Sequence, residues 1–304
     1  MVKYTAGFLR AHPLIFALAS ALAAGFCVPG ASAQSLARFP LRATHYDVEV
    51  ALHPADQTIS ARAKVDFVAG APTRTFVVEL HQDLKVTAVR GANGKPLEFS
   101  RDNNPAFNLR VNLPDALVSG NTTSVTFEYT GPVSLEEDSP SKGVRLASVD
   151  KNGGYLLLPS RWFPLTNYPS NRYTYRFKIV VPDSFAVVGT GQADSPQLVP
   201  ATKAGEQGQA IYVFQSDRAS PGGTFVFGNL QLNPVKVEGF SVPVYAPPAQ
   251  AGTANLYGAS LAHAVTYFSD VFGSLPERSF VIAQMPDGSL GEYAGPGILS
   301  LIHI

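Results

Sequence analysis

The sequence runs to 304 residues, with 23 lysines and arginines balanced by 23 aspartates and glutamates, so its formal net charge at pH 7 is zero. That balance argues against nucleic acid as a partner, because such binding rests on clustered cations that neutralise phosphates. Charged residues make up 15% of the chain, below the roughly 25% of ordinary soluble domains, and 24 prolines and 26 glycines interrupt it often, which is the composition of an extracytoplasmic, β-rich protein.

The chain opens with Lys3 and Arg10, then the apolar run "LIFALASALAAGF" and the small residues "ASAQ". This is the layout of a secretory signal peptide cut after Ala33, which places the mature protein in the periplasm or outside the cell. The apolar run is shorter than the ~20 residues of a spanning helix, so no stable membrane span is expected once the leader is removed. Cys27, the one cysteine, leaves with residues 1 to 33. The mature chain therefore has neither a disulfide framework nor a thiolate metal site.

Strict alternation begins with Tyr46, Val48, Val50 and Leu52, separated by polar residues that face the other way, and returns at Ile59, Ala61, Ala63, Val65 and Phe67. The turn formers of "HPADQ" lie between them, so the pair reads as a hairpin of half-buried strands. Period-two runs recur at Phe107 to Leu113, Val125 to Tyr129 and Tyr173 to Val181. Short strands with one apolar face, joined by Gly, Pro and Asn turns, describe an antiparallel sandwich or saddle-shaped sheet.

The rhythm changes after "VYAPPAQAGT", where Tyr257, Leu261, Ala264, Val265, Phe268 and Phe272 fall at helical spacing, with Thr253 as N-cap and Gly273 as C-terminal stop. "RSFVIAQM" then reads as a strand. A second, α/β-type domain is therefore expected from residue 246, after a β domain over 34–245.

The chemistry-bearing residues form no complete constellation. His12, His45, His53, His81, His263 and His303 are mutually distant in sequence, and no H-E-x-x-H pair is present. His263 reads as a surface position on the helix. No G-x-S-x-G elbow occurs, and "GTGQA" lacks the lysine and following helix of a phosphate loop. Trp162, Phe163, Tyr168, Tyr173 and Tyr175 invite a reading as sugar-stacking rings of a non-enzymatic β module that binds protein or glycan. The favoured alternative is a proline-braced corner of core aromatics.

The order of "HYDVEVALHPADQTISARAKVDF", "WFP", "VPDSFAVVGTG", "TYFSDVFGSLP", "FVIAQMPD" and "GPGI" resembles the aminopeptidase N (gluzincin) family of zinc metallopeptidases over roughly residues 40 to 298. The resemblance implies a mainly β fold: a saddle-like antiparallel β-sandwich domain over 34–245, then the first piece of a thermolysin-like α/β catalytic domain over 246–298. It also implies peptide substrates, with zinc in the intact parent and none bound by this chain, because the family's H-E-x-x-H helix comes later than residue 304. In the family a Gly-x-Met-Glu-Asn motif binds the substrate's free amino group through its glutamate. If Gly297 matches the glycine that follows that motif, Tyr293 falls on the methionine, Ala294 on the glutamate and Gly295 on the asparagine. Glu292 then stands two positions early, about 6 to 7 Å from the expected carboxylate. The closing "LSLIHI" reads as an in-frame translation of a sequencing adapter, so residues 299–304 are expected to be a non-native tail.

Overall fold

A computed structural model describes residues 40–101, 107–134, 143–203, 205–237, 240–273, 280–286 and 288–302. The expected leader, His12 and His303 lie outside them. In chain order the first strands are β1 (Leu41–His53), β2 (Thr58–Ala69), β3 (Thr73–Glu79), β4 (Lys85–Gly91), β5 (Glu98–Arg101), β6 (Asn108–Leu117), β7 (Thr122–Pro132), β8 (Ala147–Asp150), β9 (Gly153–Leu156) and β10 (Tyr173–Pro182). There follow β11 (Ala186–Gly189), β12 (Gln192–Ala193), β13 (Gln197–Val199), β14 (Gln209–Ser220), β15 (Phe225–Gly228), β16 (Gln231–Val237) and β17 (Phe240–Ala246). The helix α1 (Ala251–Phe272) and the strands β18 (Val281–Gln284), β19 (Glu292–Gly295) and β20 (Ile298–Leu301) complete the described chain.

The alternating segments build the main sheet, an eight-stranded assembly ordered β12-β14-β10-β1-β2-β7-β4 with β13 also paired to β14. Tyr46, Val48 and Val50 of β1, Phe127 of β7 and Phe177 of β10 are all buried on its inner face, as the period-two pattern requires. The pairing is antiparallel except at the centre, where β1 and β10 run parallel with His45 opposite Thr174. The three-stranded sheet β3-β6-β5 and one face of the four-stranded sheet β11-β15-β9-β8 close over this core, contributing Phe76, Val78, Val111, Leu156, Phe225 and Phe227.

Strands β9 and β15 are buried on both faces. Their second face supplies Tyr155, Leu157 and Val226 to another apolar cluster, shared with Val281, Ala283, Met285 and Ile298 from a five-stranded sheet ordered β16-β17-β18-β20-β19. The far side of that sheet packs Val242, Val244 and Ile282 against α1. By sheet membership the α/β portion begins at Gln231. Strand β16 and nearly all of β17 lie inside the 34–245 segment expected as the β domain, yet they belong to this sheet: β16 pairs with β17, and β17 pairs in parallel with β18 at Val244 and Tyr245, across the α1 connection.

The helix keeps part of its expected face: Val265 is buried, and Tyr257 and Leu261 pack half-buried on the same cluster. The other fully buried residues are Ala254, Gly258 and Ala262, whereas Phe268 and Phe272, also expected inside, are 51% and 78% exposed. Close approach explains the choice: a Cβ at Gly258 would stand 2.6 Å from Val235 Cγ2, so only a small-residue face fits the sheet. The start also differs, since a 3₁₀ turn, Pro248–Gln250, leads into α1 and Thr253 lies within the first turn, donating its hydroxyl to Gln250 O at 3.1 Å. Gly273 ends the helix as expected, with φ 86° and its N–H on Ser269 O. Among the described residues no helix is long and apolar enough to cross a membrane.

Candidate functional site

Pro296 and Gly297 turn the chain between β19 and β20, with Gly297 at φ 73° and Gly295 facing Ile298 across the turn. This is the type II arrangement, in which proline presets the first central residue and glycine takes the left-handed second. The hairpin brings Glu292, Tyr293, Ala294 and Gly295 onto one short strand at the free edge of the five-stranded sheet.

The two faces of β19 differ. Glu292 and Ala294 are exposed and share one face, whereas Tyr293 and Gly295 are half-buried on the other. Glu292 forms no ion pair among the described residues. Main-chain direction follows the same alternation, since alternate residues of an antiparallel pair turn both backbone groups away from the partner. Gly291 O accepts from Ile302 N at 3.1 Å, and Gly295 pairs with Ile298, so positions 291, 293 and 295 face β20. The N–H and C=O groups of Glu292 and Ala294 are left pointing outward.

The inner face of β19 meets the β domain. Gly295 is held against Thr224, where a Cβ would stand 2.7 Å from Oγ1. The Thr224 hydroxyl donates to Leu157 O at 3.0 Å, fixing it to the strand below. Burial pushes the Tyr293 phenol well above its ordinary value; the neighbouring Tyr168 adds to the rise and the Thr224 hydroxyl opposes it. Tyr168 is 39% exposed and so forms part of the surface beside the edge strand. Neither Tyr168 nor Thr224 was marked by sequence for this place. Tyr168 stood out only as one aromatic among several.

The aromatic corner itself is not a stacking surface. Trp162 and Phe163 are fully buried, Tyr173 and Tyr175 nearly so, and Trp162 Nε1 donates to Gly223 O at 2.9 Å. These four enclosed rings cannot receive a sugar; of the five named from the sequence, Tyr168 alone reaches the surface. Of the histidines, His263 is exposed on α1, His53 Nε2 lies 2.8 Å from Ser60 Oγ, and His81 is buried beside Asp83. Among the described residues no three His, Cys, Asp or Glu side chains converge to hold a metal ion. The described residues do not fit a zinc site.

No family profile matches the sequence, and no curated protein matches it. Solved structures do. The fold is similar to that of the M1 zinc metallopeptidase of Deinococcus radiodurans, seen as a point mutant bound to a Tyr-Ser-Ala substrate, with TM-score 0.67 and 21% identity over 86% of this chain and 60% of that one. The unmutated enzyme gives TM-score 0.65 and 19% identity, and a two-domain M1 zinc metallopeptidase mutant bound to L-arginine gives 0.64 and 18%, with the same coverage. The chain thus spans about three fifths of the length of these structures. Over that span its mainly β architecture is the one found in M1 zinc metallopeptidases.

Proposed function

We propose that this chain is the amino-terminal part of an exported zinc-dependent peptidase of the aminopeptidase type, with β19 as the edge that receives the substrate. The fold similarity to M1 zinc metallopeptidases over 86% of the chain is the observation that carries the reading. The edge position of β19 supports it, because an extended peptide can add to a free strand through main-chain hydrogen bonds. Zinc would supply Lewis-acid activation of the scissile carbonyl in the whole protein. Its ligands would lie outside the described residues.

What these residues do is hold and orient. The outward backbone groups of Glu292 and Ala294 bond the peptide, and Tyr168 with Tyr293 walls the strand from the β-domain side. Glu292 is the carboxylate of the strand, so it is the group to meet the substrate's ammonium. A peptide bound this way sits two residues earlier on the edge than one matched to Ala294, a shift of about 6 to 7 Å.

Binding of a tripeptide with a free amino terminus, compared with its acetylated form, tests the site. Glu292→Gln should weaken the free-amine peptide about tenfold and leave the acetylated one unchanged; equal weakening, or none, sinks the assignment. For the wider reading, the protein encoded by an intact genomic locus should release amino-terminal residues from peptides and stop when chelated. Contiguous DNA across the codon for Gly297 would show whether 299–304 is encoded there, and mass analysis of exported protein should find Gln34 as the first residue.

A further inference from the structure

The outer face of the eight-stranded sheet holds a cleft of about 900 Å³ that the peptidase reading leaves unused. Two breaks in strand register make it. The β1–β2 register shifts between Ala43 and His45, so Ala43 and Tyr46 both face the core and His45 and Asp47 turn to the outer face. In β14 the register against β10 jumps from Ser216 to Ser220 between Tyr175 and Tyr173, which lifts Asp217, Arg218 and Ala219 out of the ladder as a wall. Ser216 Oγ fixes the wall by donating to Arg218 O at 2.9 Å and accepting from Arg218 N at 3.3 Å. Bulges re-aim side chains in this manner beside binding sites.

Thr174 Oγ1 lies 3.3 Å from Thr44 O, to which it can donate, and 2.8 Å from His45 Nδ1. With Nδ1 engaged there, His45 has Nε2 left to exchange a hydrogen bond with a ligand in the cleft it lines. Arg176 is neutralised by Asp47 Oδ1 at 3.3 Å. Arg172 differs: its Nη1 donates to Pro169 O and Asn171 O, and among the described residues it pairs with no carboxylate. The exposed Nε and Nη2 donors of Arg172 are therefore available at the cleft mouth. Gln192 and Gln215, opposite each other on β12 and β14, add amide donors and acceptors.

We propose that this cleft binds an acidic saccharide, with its carboxylate on Arg172 and its hydroxyls on Gln192, Gln215 and His45 Nε2. The volume lies in the roughly 300–1,000 Å³ range of pockets that enclose a small ligand, enough for a short oligosaccharide. A surplus guanidinium supplies the anion preference, since Arg matches a carboxylate with two parallel donors. Interleaved amides and acids match a polyol that donates and accepts at every hydroxyl. An extended peptide suits the cleft poorly, because both edges of the floor strands β1 and β10 are already paired and cannot take another strand.

Calorimetric titration of the full chain tests this with trigalacturonate, a neutral galactose trisaccharide, a glutamate tripeptide and sodium sulfate as probes. Trigalacturonate should bind at least about tenfold more tightly than the other three, and less tightly as salt rises. Arg172→Gln should erase the preference over the neutral sugar, and Gln192→Ala should weaken both sugars about threefold or more. Circular dichroism of both exposed-site variants checks that they fold. Equal affinity for acidic and neutral sugars, no detectable binding, sulfate or the peptide binding as tightly as trigalacturonate, or affinities untouched by both substitutions would each overturn the proposal.

Discussion

Replacing Trp162 separates a core corner from a ligand-stacking surface. The indole is fully buried, with ring centroids 4.6 Å from Phe163, 5.3 Å from Phe177 and 5.8 Å from Phe225. Trp162→Ala removes that packing, a loss of about 3–5 kcal/mol for a buried aromatic. It also deprives Gly223 O of its donor, which costs about 1–3 kcal/mol where no water reaches the carbonyl. The two overlap, so about 4–6 kcal/mol is expected in total. Trp162→Phe keeps most of the ring and loses chiefly the hydrogen bond, about 1–3 kcal/mol. With a urea slope of about 2–3 kcal/mol per molar, the midpoint should fall by about 2 M for the alanine variant and by roughly 0.3–1.5 M for phenylalanine. Trp162 is the chain's one tryptophan, so unfolding is followed by far-ultraviolet circular dichroism rather than fluorescence. A loss under about 1 kcal/mol for Trp162→Ala would refute the buried-corner reasoning.

Alkaline pH should destabilise the fold through its buried phenols. Burial raises Tyr46, Tyr129 and Tyr173 above the ordinary 10.0, so unfolded chains release these protons first. Stability is then level below that value and falls as pH rises past it, by up to about 1.4 kcal/mol per pH unit for each phenol; an unchanged urea midpoint between roughly pH 8 and pH 11 would contradict this. Gly295→Ala should cost about 1–3 kcal/mol through its clash with Thr224, and less in a Thr224→Ala background. Strictly additive losses in that double-mutant cycle would show that the two residues do not meet.

The strands legible in the sequence were those with one wet face, such as Tyr46 to Leu52 and Tyr173 to Val181. Burial of a single face writes alternation into the residues. "GGYL" at β9 and "FVFG" at β15 carried no such mark, because both faces are covered and neither presents a polar side. The helix was legible, and Tyr257, Leu261 and Val265 do meet the sheet, but the small residues Ala254, Gly258 and Ala262 that permit close packing carry less periodic signal than the exposed Phe268 and Phe272. Resemblance, not periodicity, drew attention to Glu292–Gly295. The contacts of Tyr168 and Thr224 with that strand depend on segments far apart in sequence, and the cleft near Arg172 depends on two register breaks. Neither leaves a local pattern to read.

The parallel pairing of β1 with β10 also sets an order of assembly. Strand β2 follows β1 directly, so one side of β1 can be satisfied as soon as the first hairpin emerges. The other side must wait for a partner 129 residues later, as the separation of His45 and Thr174 shows. Contacts this distant are slow to form because a long loop closes before anything is gained. During that interval β1 presents an open edge with an apolar face, the combination that pairs readily with other chains. Any species that holds β1 and β2 but lacks β10 should therefore aggregate, and the centre of the finished sheet is the part of the molecule most in need of protection while it is being made.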